Sequence, residues 1–281
     1  MQSSLDLEIV QVHPKDDKIQ VRVTPQKSKP VSVFFESLQS AFAWLIQVLE
    51  DKKIRLMVLK DFELTDEIAR IQMAISPRSI ELFSMTNVCL HYICPDNFQS
   101  LIRNPFKARK YTFNSMLNVH EGSFCDNLLL SNAFMHAISI ELHVSTFLPE
   151  FSQRMSRISE EGITHWFFNG PSTAENRYFI CNSVELGPKF IENLLERFKK
   201  ETMPNPTSLV LYGQPKQYES CVAETLQGRQ KLMIKNEETG EYLKIQYLLD
   251  EKLELQRVIE KAITKLRPFN SPAPGCAMQI I

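Results

Sequence analysis

The sequence predicts an α/β fold: repeated strand–helix units forming a curved, leucine-rich-repeat-like sheet with helices on its outer face. Three observations predict it. Apolar positions switch repeatedly between a period of two and a period of three to four. Strand starts near Ile54, Ile80, Tyr111, Ile138 and Ile163 are roughly 25 to 31 residues apart, the range of strand–helix repeats, with a larger gap before Leu209. Each unit has an apolar face that it cannot bury alone, so stacked units with right-handed parallel crossovers are the stable arrangement.

The elements follow in order. Leu5 to Val12 and Ile19 to Val23 read as two strands around a turn containing Pro14, Asp16 and Asp17, so residues 1–30 form an N-terminal β-hairpin. Pro25 and Pro30 close it. From Val33 the period lengthens, and Phe34, Leu38, Ala41, Phe42, Leu45, Ile46 and Leu49 make one helix face. Ile54, Leu56 and Val58 alternate with Arg55 and Met57 as a strand. Thr65 caps a helix with Asp66 and Glu67 in its first turn and Ile68, Ile71 and Ile75 as its stripe. Pro77 ends that helix before a strand at Ile80 and Leu82.

Asp96 to Arg103 reads as a short helix, and Tyr111, Phe113 and Ser115 as one side of a strand. Leu128 to Ala137 is apolar without a clear period. Ile138, Ile140, Leu142 and Val144 form a strand, Leu148 to Ile158 a helix, and Ile163 to Phe168 an extended segment. Pro188 opens a helix through Phe190, Ile191, Leu194, Leu195 and Phe198. Leu209 and Leu211 sit on a strand, and Arg229 to Leu248 reads as two strands around Thr239-Gly240. A last helix spans Glu251 to Leu266. Residues 31–267 thus hold the strand–helix repeats of one domain, 1–267, and 268–281 reads as a disordered tail. No consensus Asn or Leu ladder marks the units, so the repeat is degenerate.

The formal charge of −1 gives no net pull towards nucleic acid or acidic membrane. No membrane-length apolar run and no signal peptide are present, and the six cysteines read as reduced thiols of an intracellular protein, cytoplasmic or nuclear. Cys276 is sixth from the end, where a prenylated Cys would have to be fourth.

Motifs for chemistry are sparse. The eight glycines form no phosphate-binding loop, and no GxSxG supplies a nucleophilic Ser. His120-Glu121 lacks the second His of a zinc protease. Adjacent acids such as Glu160-Glu161 read as helix caps. "CLHYIC" places Cys89, His91 and Cys94 close together but has no matching half for a structural zinc. We therefore expect no catalytic residue, metal or cofactor.

What remains is surface. Strand alternation predicts that Met57, Phe83, Met85, Met116, His143, Trp166, Phe168 and Tyr212 point away from the helices. Aromatic and Met side chains on an open sheet face make a partner-binding surface. A one-residue slip would exchange the two faces.

"VFFESLQSAFAWLIQVLEDKKIRLMVLKDFELTDEIARIQMAISPRSIELFSMTNV" resembles the opening of the FTH domain, an F-box-associated domain expanded in nematodes. The shared pattern is a Phe- and Leu-rich helix, a basic turn, a strand, a helix, and a strand marked here by Pro77, Ile80, Glu81 and Phe83. Leu101, Phe106, Lys107, Ala108, Arg109 and Lys110 follow a further family segment, with Phe in place of the usual Trp and Asn104-Pro105 breaking its helix. "KLMIKNEETGEYLKIQYL" fits the family's ending. The resemblance implies a domain that recruits target proteins beside an F-box, the helical segment that docks a ubiquitin-ligase adaptor. The chain opens near the strand that follows the F-box, so a recognition domain without its ligase connection is implied.

The resulting expectation is a non-enzymatic protein-interaction domain with a protein partner and no membrane. An RNA-binding module is the alternative, which a clustered basic face around Lys107, Arg109 and Lys110 would favour. A cysteine- and histidine-dependent hydrolase is the remaining alternative.

Overall fold

The computed structural model describes residues 7–49, 52–74, 78–144, 156–170, 177–181, 189–200, 207–212, 231–236, 240, 242–248 and 252–258. The chain opens with β1 (Leu7–Lys15) and β2 (Lys18–Pro25), the expected hairpin, and adds β3 (Val31–Phe35), antiparallel to β2. Phe34 therefore lies on a strand and not on the following helix. Helix α1 (Leu38–Leu49) starts where the Ser37 hydroxyl accepts from the Ser40 amide at 3.2 Å.

The repeating part follows. β4 (Ile54–Lys60) and the short β5 (Glu63–Thr65) lead into α2 (Asp66–Met73), whose amide at Ile68 donates to the Thr65 hydroxyl as expected. β6 (Arg78–Thr86) and β7 (Cys89–Tyr92) lead into α3 (Pro95–Arg103), with Pro95 in the first turn where its missing N–H costs nothing. β8 (Phe106–Met116) and β9 (Phe124–Cys125) lead into α4 (Asp126–Leu129) and α5 (Asn132–Met135), which occupy the stretch without a clear period. β10 (Ser139–Val144) and β11 (Ser156–Arg157) lead into α6 (Glu160–Phe168). β12 (Arg177–Cys181), α7 (Phe190–Lys200) and β13 (Thr207–Tyr212) come next. β14 (Lys231–Lys235), β15 (Tyr242–Leu248) and β16 (Lys252–Val258) end the described chain as an antiparallel group.

One sheet collects twelve strands in the order β14-β15-β16-β13-β12-β10-β8-β6-β4-β1-β2-β3. From β1 and β4 through β13 the neighbours are parallel. Each main strand thus pairs with the strand of the unit before and the unit after. The architecture is a mixed α/β fold with a large sheet. The sheet is not strongly curled, so the curvature expected of stacked repeats is not one of its features. Short strands also pair unit to unit, β5 with β7 and β9 with β11.

Two expectations are corrected. Ile163 to Phe168 is helical: Ser159 accepts from the Gly162 amide, Glu160 and Glu161 sit in the first turn, and α6 buries Ile163, Trp166, Phe167 and Phe168 together. The strand expected there is supplied by β12. Lys252 to Val258 is a strand and not a helix, because Leu253 and Leu255 take register against Leu211 and Leu209 of β13. The rest of that expected helix, most of the one expected from Leu148, Ile75, Pro77, Pro188, Thr239 and the tail 268–281 lie outside the described residues.

The core is a single cluster between the sheet and its helices. In register across six parallel strands, one row is Val10, Met57, Phe83, Tyr111, Ile140 and Phe179, each at most 1% exposed. The next is Val12, Leu59, Met85, Phe113, Leu142 and Cys181, equally sealed. A further buried residue lies three positions before the first row in each of four strands: Leu7, Ile54, Ile80 and Ala108. The spacing within each of these four strands is therefore apolar-x-x-apolar-x-apolar.

A ladder of left-handed residues closes the strands. Asp61, Asn87 and Asn118 have φ of 59°, 54° and 47°, which Asn and Asp tolerate best among residues with a Cβ. The Asn87 side-chain amide donates to the Asp61 carboxylate at 2.9 Å, stitching consecutive units. A buried apolar residue, Phe62, Val88 or Val119, follows each. The units thus share an Asx position, although no consensus Asn ladder marks it in the sequence.

Candidate functional site: the open sheet face and the trough at its lower edge

The register decides which side chains face away from the helices. Met57, Phe83, Met85, Met116, Trp166 and Phe168 were expected to do so, and all are core residues at most 3% exposed. The reason is the three-residue step from Ile54 to Met57 and from Ile80 to Phe83, which breaks strict alternation and moves the strand by one position. Met116 is also turned inward by an irregularity in β8, where Leu142 pairs with Phe113 but Val144 pairs with Met116. The extra residue carries Ser115 outward at a φ of 52°, so it does not share a side with Tyr111 and Phe113. Trp166 and Phe168 lie on α6 and on no strand. His143 follows buried Leu142 on β10 and is half-buried on the other face. Tyr212 is the last residue of β13.

The open face is built from the residues between the core rows. One row is Ile9, Leu56, Leu82, Lys110, Ser139 and Tyr178. The other is Gln11, Val58, Ser84, Thr112, Glu141 and Ile180. Apart from Ser84 these are half-buried or exposed, and Tyr178 is 42% exposed. Ile9, Leu56, Leu82 and Val58 form an apolar patch over β1, β4 and β6. The two faces thus differ in kind: one is sealed by helices, the other presents an apolar patch beside polar groups.

At the end where the parallel strands begin, a trough of about 940 Å³ runs across β1, β4, β6 and β8 to α5. Leu7, Ile54, Ile80 and Ala108 make its apolar floor. Lys52, Lys53, Arg55, Arg78, Lys107 and Arg109 line it, against one acid, Glu81, among the described residues. Part of this charge is used structurally. Arg55 pairs with Glu8, and Arg109 and Lys110 lie 3.5 and 3.9 Å from Glu81. Arg78 donates to the Lys52 carbonyl at 2.6 Å. Basic residues just after helix C-termini also suit the helix dipole.

Three buried or hydrogen-bonded groups fix the scaffold around these surfaces. The Tyr111 hydroxyl donates to the Phe106 carbonyl at 2.9 Å and accepts from the Ala108 amide at 3.0 Å, and burial pushes its pKa up to about 12. Arg177 is 1% exposed: its guanidinium donates to the carbonyls of Trp166 and Met135 at 3.0 Å each and lies 3.9 Å over the Trp166 ring. Burial lowers its pKa to about 10, so it stays charged at neutral pH. Asp66 is held below its ordinary value by the side chain of Asn97 and the amide of Cys94.

The "CLHYIC" residues do not converge. Cys89 is buried and accepts from Asn118, Cys94 is exposed before α3, and exposed His91 stacks on His120 at 6.2 Å between centroids. Among the described residues no group of three or more His, Cys, Asp or Glu is placed to hold a metal ion. Among them, too, no helix is long and apolar enough to cross a membrane. Compared with known proteins, the chain matches no family model, no curated protein and no solved structure.

Proposed function

We propose that the chain is a non-enzymatic protein-interaction domain that docks its partner on the open sheet face, in the manner of the substrate-recognition part of F-box proteins. The observation that carries this reading is the asymmetry of the sheet. Helices seal one face, while Leu56, Val58, Leu82, Tyr178 and Ile180 remain accessible on the other. An accessible apolar and aromatic patch rimmed by polar groups is what a protein interface uses. The unit-to-unit strand pairing and the apolar-x-x-apolar-x-apolar spacing support a leucine-rich-repeat-like scaffold, whose strands present such surfaces.

The test is affinity capture from native extract with wild type and with a Leu56→Ser, Leu82→Ser, Tyr178→Ala variant. The reading requires that proteins captured by wild type are lost by the variant while thermal unfolding moves little. Equal capture by both would overturn it. Presence of the ligase adaptor among captured proteins would link the domain to a ubiquitin ligase.

A second reading, an RNA-binding module, draws on the basic trough. Retention on immobilised RNA that falls steeply with salt would favour it.

A further inference from the structure

We infer that the trough below the open face takes an acidic segment of a protein partner, one that carries apolar side chains between its carboxylates. This rests on the docking reading above and names the chemistry of what docks.

The charge comes first. The whole chain is at −1, yet among the described residues that line this depression six are Lys or Arg and one is an acid. Structural use accounts for part of them, since Arg55 and Arg109 have carboxylate partners. Lys53 and Lys107 are exposed and have no acidic partner within 4 Å among the described residues. They occupy the positions before the floor residues Ile54 and Ala108, so both line the trough, Lys53 just ahead of β4 and Lys107 on β8.

The floor comes second. It is a row of apolar side chains, and the stems of Lys and Arg extend it. A phosphate backbone would leave such a floor unused. Single-stranded nucleic acid is held by aromatic side chains on which bases stack, and none of the described trough residues is Phe, Tyr or Trp. A peptide uses both features, with carboxylates on the cations and apolar side chains on the floor. The span from β1 to β8 is three strand spacings, about 14 Å, or about four extended residues. An epitope of that length continues onto the open face through Leu56 and Leu82, which follow Ile54 and Ile80 by two positions.

The test measures fluorescence anisotropy on the full chain with three probes. These are a labelled peptide of alternating Glu and Leu, about 12 residues long, its Gln–Leu counterpart, and a labelled oligouridylate. The Glu–Leu peptide should bind at least about tenfold tighter than the Gln–Leu peptide, a difference of about 1.4 kcal/mol. The same affinity should fall about tenfold in Lys53→Glu, Lys107→Glu and recover partly in Lys53→Gln, Lys107→Gln, with thermal unfolding unchanged. Tighter binding of the oligouridylate, equal binding of the two peptides, or no binding up to about 1 mM would overturn the inference. If capture from extract survives the lysine substitutions but not those at Leu56, Leu82 and Tyr178, the docking reading stands and this one falls.

Discussion

The carboxylate of Asp126 holds Ser159 at two points: Oδ1 accepts from its amide at 2.8 Å and Oδ2 from its hydroxyl at 2.6 Å. Ser159 in turn caps α6 by accepting from the Gly162 amide at 3.0 Å. The first residue of one unit's helix thereby fixes the start of the next unit's helix. Asp66 does the same two units earlier, accepting from the Cys94 amide at 2.9 Å. Contact between Asp126 and α6 is so close that a Cβ at position 162 would lie 2.1 Å from Asp126 Oδ1.

Gly162→Ala therefore separates two effects of opposite sign. Helix propensity alone favours Ala by about 1 kcal/mol. Displacing Asp126 breaks hydrogen bonds to a charged acceptor, each contributing about 1.5–3 kcal/mol. We expect Gly162→Ala to lower the urea midpoint, and Gly162→Ala in an Asp126→Ala background to lower it far less. A rise in the single variant would show that the carboxylate is not held as described.

Core placement of the residues expected on the surface has a direct thermal test. Phe83→Ala and Trp166→Ala should each cost about 3–5 kcal/mol, since both residues are sealed. Denaturant unfolding that shifts by less than about 1 kcal/mol would return them to the surface.

Tyr111 makes stability fall in alkali. Its folded pKa of about 12 lies above the ordinary 10.0, so its contribution is fully present below pH 10 and is lost as pH rises towards 12. Tyr111→Phe loses the bonds to Phe106 and Ala108 and should be less stable by about 1–3 kcal/mol at pH 8. The gap between wild type and variant should narrow above pH 10. A gap that stays constant to pH 12 would mean that the hydroxyl ionises freely in the folded state.

Arg177 on β12 joins α5 and α6 by donating to the carbonyls of Met135 and Trp166. Lysine keeps the charge but lacks the planar fork. We expect Arg177→Lys to cost more than about 2 kcal/mol in guanidinium unfolding, because buried carbonyls lose their donors. Gly170→Ala should resemble it, since a Cβ there would lie 1.6 Å from Arg177 Nη1.

Much of the fold was legible in the sequence. The hairpin, β4, α2, β6, α3, β10 and α7 were found because period and caps agreed there. Register was harder. Ile54, Leu56 and Val58 alternate plausibly, but the buried set is Ile54, Met57 and Leu59, and only the recurrence of that spacing at Ile80, Phe83 and Met85 distinguishes the two. The open face was therefore read one residue out. α6 was missed because Ile163 to Phe168 is short and carries Ile163, Trp166, Phe167 and Phe168 around Thr164 and His165, a pattern too brief to separate alternation from a helical period; the deciding signal was Ser159 followed by two acids. β16 was missed because its Leu-, Glu- and Lys-rich composition favours helix, and pairing with β13 and β15 overrides that local preference. The trough was invisible because its cations come from three separate segments, Lys52 to Arg55, Arg78, and Lys107 to Arg109, that the parallel register brings side by side.

The sequential strand order also bears on how such a chain can change. Every main strand from β4 to β13 contacts the units on either side of it, so the demands on any one unit are local. Duplicating or deleting a whole unit would leave each remaining neighbour a compatible surface to pair with. Surfaces that lie across several strands would be lengthened or shortened in steps of about 4.8 Å, one strand spacing. The extent of the open face would thereby change in discrete increments while the scaffold stays intact.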